Sequence, residues 1–263
     1  MMCWKKPVPP TMEFAERRVL SFAINDYPGS TNDLRGCLND SRQVKDTLLS
    51  HWPDFDVRRY LDSEATLKAF RTNVAAAVSL LKPGATVVVL ADSCFSATVT
   101  RLFDKRGVEE YHRVKNRFYA TPGQPVRTVS RPFFLRSDIK WVAISACGEE
   151  QYAADAYIND NYHGAFTWYA MRLLRQGITY RHWFAEIRQY LPSAQFDQIP
   201  TIEGPDYLLD QLVCSNNTLV IHNSTHGTQL NGIAEEAIDE AICLYDGNLR
   251  DNEYFQILSK ISI

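Results

Sequence analysis

Apolar runs and amphipathic segments alternate along most of the chain. Short runs rich in apolar and β-branched residues predict buried strands at 18–24, 86–91, 141–145 and 219–222. A run in which apolar and polar residues alternate predicts a further strand at 55–61. Apolar residues at helical spacing predict helices over 39–52, 65–81, 164–176, 180–191 and 251–261. We therefore expect an α/β fold in which helices cover both faces of a mostly parallel sheet.

Composition and charge exclude several classes of protein. The chain has 263 residues, 45% of them hydrophobic, which is enough apolar material for a core. The net charge of −3 provides no basic field for nucleic acid or anionic membranes. The N-terminus has no apolar secretion signal, and no apolar run approaches the roughly 20 residues of a membrane span. We expect a cytoplasmic protein with neither nucleic acid nor membrane as a partner.

Reactive side chains are concentrated where the predicted strands end. Cys94 follows the strand at 86–91, and His226 follows the strand at 219–222. The carboxyl ends of parallel strands lie at one edge of the sheet, so the thiol and the imidazole can meet there. This pair suits thiol nucleophilic catalysis with the imidazole as base. Taken alone, a cysteine after a core strand is more often a buried structural thiol.

Longer strings around these residues resemble one peptidase family. Residues 92–98 (DSCFSAT) resemble the DSCHSGT of the metacaspase and orthocaspase branch of caspase-like cysteine peptidases, and 224–229 (STHGTQ) resemble its SGHGTQ. Further similar strings lie at 24–27, 34–40, 145–153, 164–167 and 239–249. The resemblance spans about residues 18–263. It implies a caspase-like three-layer sandwich and a cysteine endopeptidase that cuts after Arg or Lys.

The resemblance assigns catalytic roles to three residues. It implies that Cys94 is the nucleophile, that His226 carries the proton, and that the reaction passes through a thioester acyl-enzyme. The backbone N–H groups of Gly227 and Cys94 would form the oxyanion hole, which stabilises the charge of the tetrahedral intermediate.

Substrate-binding residues follow from the same resemblance. Asp92, Asp40 and Ser224 would form an acidic pocket, where carboxylates pair with a guanidinium. Asp40 has another interpretation, as a helix N-terminal residue favoured by the macrodipole. The substrate backbone would lie along Ser145, Ala146 and Cys147. The basic loop 101–117 is either an autoprocessing site or a solvated surface loop.

Departures from the family pattern leave two alternatives open. Ala23, Phe95, Ala97 and Thr225 replace other residues of the motifs, three of them a glycine, and glycine often marks unusual backbone geometry. One alternative is a catalytically weak homologue that acts as a binding or regulatory module. The other is a caspase-fold peptidase that cuts after Asp.

A calcium site is weakened by two of the residues that the resemblance places there. An Asp-Asp pair of the family corresponds to Asp251-Asn252 here, and Arg101 lies in the stretch that would supply another carboxylate. Loss of one carboxylate and gain of a cation both weaken calcium binding. We expect no metal and no cofactor.

The order of the segments also differs from the family. The family places the histidine segment before the cysteine segment, whereas here the histidine segment, 217–263, comes last. This is a transposition, since a circular permutation would preserve cyclic order. We expect a flexible leader at 1–16 and one peptidase domain at 17–263, in which the last strand returns to the slot left in the sheet. The chain is then a monomer, or a dimer that exchanges the C-terminal segment.

Overall fold

The computed structural model describes residues 17–29, 32–94, 114–119, 139–148, 151–215, 217–231 and 238–261. The predicted leader at 1–16 lies outside the described residues. So does most of the basic loop 101–117, of which 114–117 are described.

Strands and helices alternate through the described ranges. The strands are β1 (Arg17–Ala23), β2 (Phe55–Leu61), β3 (Thr86–Asp92), β4 (Val114–Asn116), β5 (Val142–Ser145), β6 (Ala154–Ile158), β7 (Asn161–Gly164), β8 (Thr201–Glu203), β9 (Thr218–Ser224), β10 (Gly227–Asn231), β11 (Ile238–Leu244) and β12 (Gly247–Arg250). The helices are α1 (Cys37–His51), α2 (Leu67–Ser79), α3 (Ala165–Leu173), α4 (Tyr180–Tyr190), α5 (Asp206–Leu209) and α6 (Asp251–Leu258), with a short 3₁₀ turn at Asp62–Glu64.

A six-stranded sheet forms the centre of the fold. Its order is β2-β1-β9-β3-β5-β8, and every neighbouring pair is parallel except β5 and β8. β3 is buried along its whole length, as its β-branched sequence TVVVLAD predicts for a strand covered on both faces. The sheet is thus mixed but mostly parallel.

The strand of this sheet that comes last in the chain lies in its middle. β9 pairs with β1 on one side and with β3 on the other, within the same chain. Ser224 at the end of β9 is in register with Ala23 of β1 and Asp92 of β3. Cys94 lies two residues after Asp92, and His226 lies two residues after Ser224. The pairing of β3 with β9 therefore brings their main chains to the same edge of the sheet.

Alternate residues of each central strand enter two separate cores. Val88, Leu90 and Val220 pack on one face with α1, α3 and α4. On the other face, Val87 and Ile221 pack with α2, α6 and the β10-β11-β12 sheet. The result is the three-layer α/β sandwich that the apolar pattern predicts. No helix of the described ranges is long and apolar enough to cross a membrane.

A small sheet at the carboxyl edge was not predicted. β6 and β7 form an antiparallel hairpin, and β4 pairs antiparallel with β6. Residues 114–119, which include β4, therefore run beside the ends of β3 and β9, where Cys94 and Gly227 lie.

Candidate active site

Cys94 lies in a buried turn directly after β3. Its thiol is fully shielded from solvent, and its Sγ atom lies 2.7 Å from the backbone N–H of Ala153, which donates to it. An N–H donor stabilises negative charge on sulfur. The site therefore supplies one fixed donor to a Cys94 thiolate.

His226 is oriented by a main-chain carbonyl. Its Nε2 lies 2.6 Å from the carbonyl oxygen of Asn32, an acceptor that places the ring proton on Nε2. Nδ1 is then left with its lone pair and makes no side-chain hydrogen bond to another described residue. Burial lowers the pKa of His226 to about 4, although the carbonyls of Asn32 and Arg117 act in the opposite direction. At neutral pH the ring is therefore uncharged.

The two predicted oxyanion donors converge on one carbonyl oxygen. The N–H of Gly227 donates to the carbonyl of Arg117 at 2.9 Å, and the N–H of Cys94 reaches the same oxygen at 3.4 Å. The two backbones approach so closely that a Cβ on Gly227 would lie 1.4 Å from the Cys94 carbonyl oxygen. Only glycine fits at position 227 in this arrangement.

The side chain of Arg117 fills a buried acidic pocket beside these donors. One guanidinium nitrogen, Nη2, lies 2.7 Å from Asp40 and 3.0 Å from Asp155. The other, Nη1, donates to Ser224 Oγ at 2.7 Å and lies 3.3 Å from the Asp92 carboxylate. The guanidinium is completely buried, and among the described residues its charge is balanced by these carboxylates.

Main-chain amides hold the carboxylates in place without help from Arg117. Asp40 accepts from Gly164 N–H at 3.0 Å, and Asp155 accepts from Gly36 N–H at 2.9 Å. Asp92 accepts from both the N–H and the hydroxyl of Thr167, at 2.9 and 2.6 Å.

Two glycines make room for these carboxylates. A Cβ on Gly36 would lie 2.4 Å from an Asp155 oxygen, and one on Gly164 would lie 2.1 Å from an Asp92 oxygen. The pocket is therefore built by the fold and not by the arginine inside it.

The pocket holds more negative than positive charge. Burial raises the pKa of Asp92 to about 6, an effect that Arg117 opposes and the Asp40 charge reinforces. Burial acts on Asp40 in the same direction, but Arg117 and His163 more than offset it and hold the pKa of Asp40 below its usual value. One guanidinium faces three carboxylates, a charge balance that favours a cation in this pocket.

The structure brings together the pocket residues that the resemblance implied and adds two more. Asp92, Asp40 and Ser224 all contact Arg117, and Ser224 also donates to Asp40 at 2.8 Å. The side chain of Asp40, at the start of α1, is directed to this pocket. The added residues are Asp155 and Arg117. In the sequence, Asp155 is an ordinary acid between alanines, and Arg117 is one of many basic residues in a polar stretch.

The residues predicted to line the substrate backbone lie at the end of β5 and directly after it. Ser145, Ala146 and Cys147 are buried. Ala146 donates to the carbonyl of Ala91 at 2.8 Å, and its own carbonyl accepts from the Gln198 amide at 2.9 Å. They lie at the sheet edge next to the end of β3, but these main-chain groups of Ala146 are already paired.

Among the motif departures, Thr225 keeps ordinary backbone geometry. It is not one of the described non-glycine residues with positive φ, and its hydroxyl donates to the His226 carbonyl at 3.1 Å. Threonine therefore replaces glycine here without strain. Ala23 is buried in β1. Phe95 and Ala97 lie outside the described residues.

The predicted remnant of a calcium site lies at the start of α6. There the Asp251 carboxylate accepts from the N–H of Asn252 at 2.6 Å. Within the described ranges, no group of three or more His, Cys, Asp or Glu side chains is arranged to hold a metal. Arg101 lies outside these ranges, so calcium independence stays a prediction.

Comparison with known proteins supports the α/β fold but does not indicate the chemistry of the site. No family model matches the chain, and no curated protein matches it. Among solved structures, it is similar to the crystal structure of protein GSU0716 from Geobacter sulfurreducens. The TM-score is 0.52 at 18% sequence identity, and the match covers 74% of this chain and 97% of the other. The two chains share an α/β fold.

Proposed function

We propose that this protein is a cysteine endopeptidase that hydrolyses peptide bonds after Arg or Lys with Cys94 and His226. The observation that carries the proposal is the position of Arg117. Its guanidinium lies in the acidic pocket while its carbonyl oxygen accepts from Gly227 and Cys94. A substrate residue before a scissile bond needs both of these contacts at once.

The proposed reaction uses the groups in the positions described above. The Cys94 thiolate attacks the carbonyl carbon, and the oxyanion that forms is held by the two N–H groups. His226 carries the thiol proton and gives it to the departing amine. Water, deprotonated by His226, then hydrolyses the thioester and releases the carboxylate product and the thiol.

The pocket favours Arg over Lys and opposes Asp. Its acceptors are Asp40, Asp155, Asp92 and Ser224, which surround both terminal nitrogens of a guanidinium; a single ammonium reaches fewer of them. An aspartate side chain would add a further negative charge to a buried site that already holds three carboxylates.

One observation favours the alternative of a binding or regulatory homologue with weak activity. The pocket is already filled by a completely buried residue of the same chain. In that alternative Arg117 is a permanent structural element, and no peptide enters the site.

Hydrolysis of fluorogenic peptides ending in Arg, Lys or Asp, measured with and without calcium, distinguishes these functions. We expect hydrolysis after Arg and more weakly after Lys, and a loss of about 10³-fold or more in Cys94→Ala. Cys214→Ala is the matched control, because it removes another buried thiol outside the site. Equal hydrolysis by wild type and Cys94→Ala would refute the peptidase, and cleavage after Asp alone would select the other specificity.

A further inference from the structure

The turn that carries His226 joins two strands that belong to different sheets. β9 ends at Ser224 in the central sheet, and β10 begins at Gly227 in the β10-β11-β12 sheet. Only Thr225 and His226 lie between them, and both are buried. A buried main-chain N–H in such a turn needs an acceptor, because an unpaired one destabilises the fold.

Tyr27, which follows β1, supplies that acceptor from the other end of the chain. Its hydroxyl oxygen lies 2.8 Å from the backbone nitrogen of His226 and accepts its N–H. The same hydroxyl donates to the carbonyl of Cys243 at 3.3 Å. The N–H of Cys243 donates in turn to the carbonyl of His226 at 2.9 Å. One closed set of hydrogen bonds therefore fixes both main-chain polar groups of His226.

The ring of Tyr27 also packs against the imidazole of His226. The two ring centroids lie 5.0 Å apart, and the ring planes are inclined by 47°. Aromatic rings attract each other at this separation. The imidazole is held in addition at Nε2, which lies 2.6 Å from the carbonyl oxygen of Asn32. The ring is thus restrained both at its face and at one nitrogen.

The hydroxyl of Tyr27 keeps its proton at neutral pH. Burial raises the pKa of Tyr27 well above its usual value, and Cys243 and Cys37 act in the same direction, although the N–H of His226 opposes them. A neutral phenol donates one hydrogen bond and accepts others, which is what the two contacts of this hydroxyl require.

We propose that Tyr27 is a positioning residue for the reaction, and that it fixes the main chain and the ring of His226 so that the imidazole is oriented for proton transfer. This inference rests on the proposed peptidase function. The hydrogen bonds of Tyr27 connect it to His226, to Cys243 and, through its own N–H, to Asp33. None of these three residues belongs to the acidic pocket, so Tyr27 should affect the rate of the reaction and not the binding of an arginine.

The expected size of the effect follows from the geometry of proton transfer. The transfer requires a donor and an acceptor about 2.6–3.2 Å apart, and a displacement of about 1 Å can cost about 100-fold in rate. Without the hydroxyl of Tyr27, the N–H of His226 loses its acceptor and the turn is free to shift. The carboxylates that receive the substrate side chain keep their own main-chain donors.

Steady-state hydrolysis of an Arg peptide by Tyr27→Phe tests this inference. We expect kcat to fall about 10- to 100-fold while KM stays within about twofold of wild type. Tyr254→Phe is the matched control. Tyr254 is also buried, and its hydroxyl accepts from the side chain of Asn223, three positions before His226. This control removes another buried hydroxyl beside β9 and should keep the kcat of wild type.

Nitrogen-15 NMR of histidine-labelled protein measures the state of the ring itself, and His226→Gln identifies its signals by their loss. In wild type and in Tyr254→Phe we expect one fixed tautomer at neutral pH, with the proton on Nε2. In Tyr27→Phe the released ring should exchange between both tautomers. The His226 amide of wild type should also exchange slowly with deuterium, a measurement that needs no variant and applies even if Tyr27→Phe does not fold.

The outcomes distinguish this inference from the proposed function. The role of Tyr27 is overturned by a wild-type kcat in Tyr27→Phe, by an equal loss in Tyr254→Phe, or by a change in KM alone. A single fixed tautomer in Tyr27→Phe, or rapid exchange of the His226 amide in wild type, overturns it as well. If wild type hydrolyses no peptide through Cys94, the peptidase fails, and the NMR measurements still decide whether Tyr27 orients His226.

Discussion

Replacing Arg117 with methionine is expected to lower the free energy of unfolding by about 3 to 5 kcal/mol at pH 8. Methionine fills a similar volume but leaves Asp40, Asp92 and Asp155 buried around no cation. The fold holds these carboxylates with main-chain amides, so they cannot turn out to solvent. Urea unfolding of wild type and variant measures the difference.

The loss should be smaller at pH 5 than at pH 8. Without Arg117, burial raises the pKa values of Asp40 and Asp92 above their unfolded values, and the folded variant binds protons that the unfolded chain has released. Its stability therefore falls as pH rises through those folded-state pKa values. Arg181→Met is the control: it also removes a bridge to two carboxylates, Asp206 and Asp210, but an exposed one, and it should change stability little. An equally small effect of Arg117→Met would contradict the buried pocket.

Gly227→Ala is expected to destabilise the chain by more than about 3 kcal/mol and to remove the proposed activity. The added methyl group would lie 1.4 Å from the Cys94 carbonyl oxygen, so β10 and the Cys94 turn must move apart. That movement withdraws the Gly227 N–H from the position where it meets the Arg117 carbonyl. Loss of one oxyanion donor alone costs roughly 10²–10³-fold in rate.

The matched control for stability is Gly148→Ala. Its methyl group would meet the Thr201 side chain at 3.5 Å, an ordinary contact, so its melting temperature should stay near that of wild type. Thermal denaturation of both variants decides the point. If the Gly227→Ala protein has the melting temperature of wild type, the main chains of Gly227 and Cys94 are not in contact.

The main secondary structure could be predicted because its signals are local. The β-branched run at 86–91 and the cap-type residues before α2 are signals of this kind, and the side chain of Thr66 does cap that helix, accepting from Ala69. The position of Cys94 after a buried strand follows from the same pattern. By contrast, β11 was missed because it buries Asp239 and Glu240 among its apolar residues, which breaks the alternation expected of a strand.

The site was only partly predictable because its members meet through long-range pairing. Asp40 and Ser224 lie 184 positions apart and touch only because β9 enters the sheet beside β1. Composition and periodicity do not give that placement; it was expected from the order of the motifs. Asp155 and Arg117 carried no signal of their own, since their roles depend on how the β4-β6-β7 sheet lies against the strand ends.

Covalent labelling with an arginyl acyloxymethyl ketone, followed by peptide mapping, tests most directly whether Cys94 is a nucleophile served by an arginine pocket. Such a ketone forms a thioether with an activated thiol and releases a carboxylate. On wild-type protein we expect a single label, on Cys94, with far slower labelling by the aspartyl ketone and none at that position in Cys94→Ala. Labelling of another cysteine, equal labelling by both ketones, or no labelling at all would contradict this account of the site.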